Sequence, residues 1–102
     1  MKRRMLTVNR LKPECVETYK AYHRDVWPEL LDAYRRAGIT SISCFLNGCE
    51  LAVYSEYEDT VYPASRAELD ENVWERRWQE KMRELTDPTV EPVHYEEVFH
   101  TG

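Results

Sequence analysis

The chain has 102 residues, a formal net charge of −5 and a mean hydropathy of −0.72. This length gives one domain, residues 1–102, with a core of modest size. The acidic balance excludes a phosphate-neutralising surface, so no nucleic acid is expected as a partner. No apolar run approaches the ~20 residues that span a bilayer, so no membrane partner is expected either. Short basic clusters such as Lys2-Arg3-Arg4 are solvated faces. Residues 1 to 11 are charged and lack the apolar core of a signal peptide. Cys15, Cys44 and Cys49 are odd in number, form no Cys-x-x-Cys, and have no His spaced to complete a zinc site. A reduced, cytoplasmic protein without a bound metal is the expectation, with Cys44 filling the core.

In chain order, residues 2 to 11 mix basic and apolar side chains and suit a strand that Pro13 ends. Pro13 to Gly38 reads as a long amphipathic helix. Wound at about 100° per residue, it places Val16, Tyr19, His23, Val26, Trp27, Leu30, Leu31 and Tyr34 on one stripe. Pro28 falls inside the pattern and predicts a kink or restart, with a cavity opening near His23. Gly38 is a left-handed stop. Ile39 to Leu46 and Glu50 to Glu58 alternate with period two around Asn47-Gly48, a strong hairpin signal. Pro63 fits the first turn of a short helix, Ala64 to Leu69. Asp70 or Asn72 caps a second helix through about Leu85, with Trp74, Trp78 and Met82 on a shared face. Trp74 and Met82 are expected to pack against the sheet. His94 to His100 reads as a last strand.

The order strand, helix, strand, strand, helix pair, strand is the split βαβ pattern. It predicts an α+β fold: a four-stranded antiparallel ferredoxin-like sheet with helices on one face. The chain has no spare element for the other face, so a homodimer packing sheet to sheet is expected.

Histidine on an apolar helix face is commonly a packed core residue with a satisfied hydrogen bond. His23 differs in its neighbours, Tyr19 one turn before and Trp27 one turn after. Tyr19-x₃-His23-x₃-Trp27-Pro28-Glu29, the hairpin, Arg77-Trp78 before Met82, and Glu97-Val98-Phe99 together carry a resemblance over nearly the whole chain. The chain resembles the L-rhamnose mutarotase family. The resemblance implies a dimeric ferredoxin-like α/β barrel and interconversion of the α and β anomers of a 6-deoxy monosaccharide. It implies His23 as the proton donor, with Tyr19 and Trp78 lining the sugar site. Two positions depart from the rhamnose pattern. Gln79 stands where a second tryptophan is usual, and Ile42 stands where a site tyrosine is usual. The Trp-Gln version resembles a branch assigned in part to L-fucose.

Mutarotation moves a proton from the anomeric hydroxyl to the ring oxygen, opens the ring, and reverses both steps after rotation about C1–C2. An imidazole titrating near neutrality serves either transfer. No metal, nicotinamide or covalent nucleophile is needed, and no G-x-G-x-x-G or P-loop is present. Tyr19 can hold a sugar hydroxyl or pass a proton, Trp78 can stack on the ring, and the Gln79 amide can meet a donor and an acceptor hydroxyl together. The same architecture also serves cofactor-free monooxygenases and haem-degrading proteins, and a sugar-binding module without turnover would use the same aromatic pocket.

Overall fold

The computed structural model describes residues 1–102. Strand β1 (Lys2–Arg10) leads through a single 3₁₀ turn, Pro13–Cys15, into α1 (Val16–Arg24) and α2 (Pro28–Arg36). The hairpin β2 (Ile39–Asn47) and β3 (Glu50–Glu58) follows, then α3 (Arg66–Glu71), α4 (Val73–Leu85) and β4 (Val93–Tyr95). The strands form one antiparallel sheet in the order β2-β3-β1-β4. This is the ferredoxin-like arrangement that the order of elements predicts. No helix is long and apolar enough to cross a membrane.

The break expected at Pro28 is complete. Trp27 adopts φ −59°, ψ 128°, the extended geometry imposed on a residue before proline, and α2 restarts at Pro28 as its first helical residue. Residues 25–27 therefore lie outside both helices, and the stripe read from the sequence belongs to two rods instead of one. Leu31, placed on that stripe, is 45% exposed. The hairpin turn is Gly48-Cys49, one residue later than read from Asn47-Gly48, because Asn47 pairs with Glu50. Gly48 alone in that turn has positive φ, 61°, as a type II′ turn requires at its first central position. Gly38 joins α2 to β2 at φ 91°, and a Cβ there would lie 2.7 Å from the Cβ of Val61.

Three further expectations change. Residues 59–65 are a series of turns, with Pro63 following a cis bond from Tyr62 instead of opening a helix, so the short helix begins at Arg66. The last strand is three residues long, and residues 96–102 are irregular. Pairing to β1 stops at Tyr95, opposite Leu6, and the tail is held instead by a two-pronged ion pair from Arg4 to Glu97, both contacts 2.9 Å. In α4, Asn72 is the cap, accepting from the Trp74 and Glu75 amides at 2.9 and 3.2 Å. The buried residues of that helix are Glu75, Trp78 and Leu85, so its inward face is rotated from the Trp74-Trp78-Met82 line.

Two hydrophobic clusters hold the helices to one face of the sheet. Leu11, Tyr19, Leu51 and Leu85 form the first, with Val53 and Met82 packed against it. Ala33, Ala37 and Leu69 form the second, flanked by Tyr34 and Ile39. Met82 thus packs as expected, whereas Trp74 meets Trp27 and carries the Arg77 guanidinium 5.3 Å above its ring. Leu11 is wholly buried at the centre of the first cluster. Leu11→Ala is expected to lower stability by about 2–5 kcal/mol, as for other cavity-forming truncations. Urea unfolding measures this, and a loss under about 1 kcal/mol would show that the cluster is not the core.

Candidate active site

A cleft of about 560 Å³ opens between the helices and the sheet, lined by residues of the first cluster and by Tyr34, which flanks the second. Helices α1 and α2 contribute Tyr19, His23, Leu30 and Tyr34, the sheet contributes Ile42, Cys44 and Val53, and α4 contributes Trp78 and Gln79. All four residues singled out from the sequence, Tyr19, His23, Trp78 and Gln79, therefore meet in one place. Cys44, expected as a core filler, is exposed on the cleft side of β2. The cause is topological: β2 is the sheet edge, and the cleft lies over its middle, where a helix would otherwise cover it.

The His23 ring stacks on Tyr19 with centroids 4.0 Å apart and meets Trp78 edge-on at 5.1 Å. Its Nδ1–H donates to the Tyr19 carbonyl oxygen at 2.8 Å. A carbonyl only accepts, so Nδ1 carries its proton in both charge states and Nε2 is the atom that titrates. Nε2 takes no protein hydrogen bond and is not sealed from solvent. Burial lowers the His23 pKa from its ordinary 6.5, and the Tyr19 carbonyl opposes this only in part. The resting imidazole is therefore neutral near pH 7, with a free lone pair on Nε2.

Tyr19 is 5% exposed. Burial, aided by the adjacent Cys44 thiol, raises its pKa above the ordinary 10, so its phenol stays protonated and acts as a hydrogen-bonding group. Trp78 is 6% exposed and is met edge-on by Tyr22, His23 and Trp27. It forms the floor of the cleft and offers little open ring for stacking.

Sequence reasoning missed Glu75 and the use of Tyr34. Glu75 is 2% exposed; its Oε1 accepts from the Tyr34 hydroxyl at 3.0 Å and from the Gln79 amide nitrogen at 2.7 Å. Its spacing from Asn72 is that of a capping box, which reads as a helix-start carboxylate facing water. The available signal was the helical period, since 75, 78, 79 and 82 share one face. Burial, then the Glu75 charge, raises the Tyr34 pKa, so this phenol also stays protonated.

These features define a small ferredoxin-like domain with an aromatic cleft built around one neutral histidine. A family model described as L-rhamnose mutarotase matches residues 4–101. The L-rhamnose mutarotase of Burkholderia orbicola is 35% identical over 97 residues, covering 89% of this chain and 90% of its own. The crystal structure of an L-rhamnose mutarotase from Formosa agariphila has a TM-score of 0.75 at 20% identity, covering 98% of this chain and 99% of its own. A structure described as an antibiotic biosynthesis monooxygenase reaches 0.63 at 15% identity, covering 96% of this chain and 99% of its own, and shares the fold alone. The chain belongs to the L-rhamnose mutarotase family, a family of carbohydrate isomerases.

NMR titration of the His23 ring is expected to give a midpoint below 6.5 with the response on Nε2. A midpoint above 6.5 would contradict the site as described. The sign for stability follows: with the folded pKa depressed, the unfolded chain binds more protons, so this contribution is present above about 6.5 and is lost as pH falls through the folded value.

Proposed function

We propose that residues 1–102 form one mutarotase domain that interconverts the α and β anomers of a 6-deoxy sugar, L-rhamnose or a close relative such as L-fucose. The observation that carries this reading is the His23 imidazole, neutral at rest, its Nδ1 held by the Tyr19 carbonyl and its Nε2 open to the cleft. Nε2 takes the proton of the anomeric hydroxyl as the C1 carbonyl forms and the bond from C1 to the ring oxygen breaks. The imidazolium returns that proton to the departing ring oxygen. Both oxygens are bonded to C1, so one nitrogen serves both. Rotation about C1–C2 and the reverse transfers close the other anomer. Proton transfer by a positioned group contributes roughly 10²–10⁴-fold, enough for a reaction that already proceeds in water. Tyr19 and Gln79 supply hydrogen bonds to the sugar, and Trp78 supplies an apolar floor.

The protein acts as a homodimer in this reading, paired through the sheet face that the helices leave bare. The strand registers put Phe45, Ala52, Tyr54, Leu6, Val8 and Tyr95 on that face. Phe45 is 61% and Tyr95 55% exposed, an apolar patch of the kind that marks association. Cys15, Cys44 and Cys49 form no disulfide, which supports a cytoplasmic location.

Saturation-transfer NMR on the anomeric protons of L-rhamnose and L-fucose tests the activity. The protein should speed exchange of at least one, and His23→Gln should lower the enzymatic rate by roughly 10²–10⁴-fold while its circular dichroism is unchanged. A folded His23→Gln protein with full activity would remove the histidine from the mechanism. For the assembly, light scattering should give twice the chain mass, and Phe45→Asp should give monomers; a monomeric wild type would refute the pairing.

A further inference from the structure

Glu75 belongs to α4 but lies behind the cleft wall, and packing does not explain it. Its carboxylate is 2% exposed, and Oε2 is the one buried side-chain oxygen or nitrogen without a hydrogen-bond partner. A hydrocarbon side chain of similar size would avoid that cost. The two groups that donate to it, Tyr34 and Gln79, both line the cleft. Gln79 is exposed at the cleft, so its amide has access to water, and Tyr34 is a half-buried side chain that lines the same cleft.

The carboxylate does fix which way the Gln79 amide faces. A carboxylate accepts only, so the Gln79 NH₂ must turn toward it, at 2.7 Å. The same amide nitrogen lies beside the Tyr34 oxygen, where it opposes the upward shift of that phenol. The Tyr34 hydroxyl hydrogen is taken by the same carboxylate oxygen. With the amide nitrogen turned to the carboxylate, the Gln79 carbonyl oxygen, which takes no protein hydrogen bond, is the end left to accept from a ligand. Without Glu75, the amide is free to present either end.

We propose that Glu75 is a positioning residue that sets the hydrogen-bonding polarity of the cleft wall, so that Gln79 offers an acceptor to a sugar hydroxyl and does not offer a donor to an ether or carbonyl oxygen. The inference rests on the mutarotase reading and deepens it. It makes position 75 a determinant of which sugar binds, through an interaction that never touches the sugar. Uniform binding is what such a residue improves, so its loss appears in KM before kcat.

The test compares wild type, Glu75→Met and Glu75→Gln by saturation-transfer rates over a range of sugar concentrations, together with Tm. Wild type is measured first on L-rhamnose and L-fucose. Failure to accelerate either sinks the mutarotase reading, and this inference with it, before any variant is compared. With an active wild type, Glu75→Met should keep or raise Tm, raise KM about tenfold or more, and leave kcat within about threefold. Glu75→Gln retains an accepting oxygen for both donors and should restore KM to within about threefold of wild type. An unchanged KM in Glu75→Met overturns the proposal, as does a Glu75→Met protein that unfolds or loses Tm, since Glu75 would then be a structural group. A Glu75→Gln protein as impaired as Glu75→Met also overturns it, because charge and not acceptor geometry would then be what matters.

Discussion

The edge-to-face packing of Trp78 holds the site together. Its indole meets Tyr22 and His23 from α1 and Trp27 from the break before α2, at 6.0, 5.1 and 5.2 Å between centroids. One buried side chain on α4 thereby ties two segments to that helix, and two of its three partners belong to the helix that carries the histidine. Such ring pairs are worth about 0.5–1.5 kcal/mol each beyond the area they bury. They also dictate orientation, which matters more here. With Tyr19 stacked on one side and Trp78 edge-on, the imidazole has little freedom to rotate, and the bond from Nδ1 to the Tyr19 carbonyl selects one tautomer.

The proline break is the second element of this arrangement. A continuous helix from Pro13 to Gly38 would carry Trp27 in register one turn beyond His23. Because Pro28 forces Trp27 into extended geometry, the chain leaves the α1 axis and Trp27 comes against Trp74 and Trp78 instead. Val26, in the same break, lines the cleft beside His23. The strand order alone does not choose a chemistry, since an antibiotic biosynthesis monooxygenase shares it. The side chains that the break and the α4 face bring together lie beyond what the strand order specifies.

Much of this was legible in the chain because periodic signals are local. The i, i+4 spacing of Tyr19 and His23, the proline at 28, the alternation either side of Gly48, and Asn72 before an apolar run each specify geometry within a few residues. What escaped reading depended on distant partners. Glu75 looks like a cap carboxylate, and only Tyr34, 41 positions away, shows that it turns inward. Cys44 looks like core because its strand is apolar, and its exposure follows from β2 being the sheet edge. The last strand looks longer than it is because Val98 and Phe99 are apolar, yet they are 85% and 79% exposed. The Arg4–Glu97 pair holds the tail by a contact that no local pattern encodes.

The partner that fixes the imidazole tautomer is a main-chain atom, the carbonyl of residue 19, and not a side chain. A side-chain carboxylate in that role would be open to mutation, and each change would disturb the ring. A peptide carbonyl inside a helix survives every substitution except one that breaks the helix. Side chains around the cleft, at 34, 42, 75 and 79, can therefore change while the His23 ring keeps its tautomer. The lining of the cleft and the protonation of its histidine are separable in this fold, because one is written in side chains and the other in the main chain.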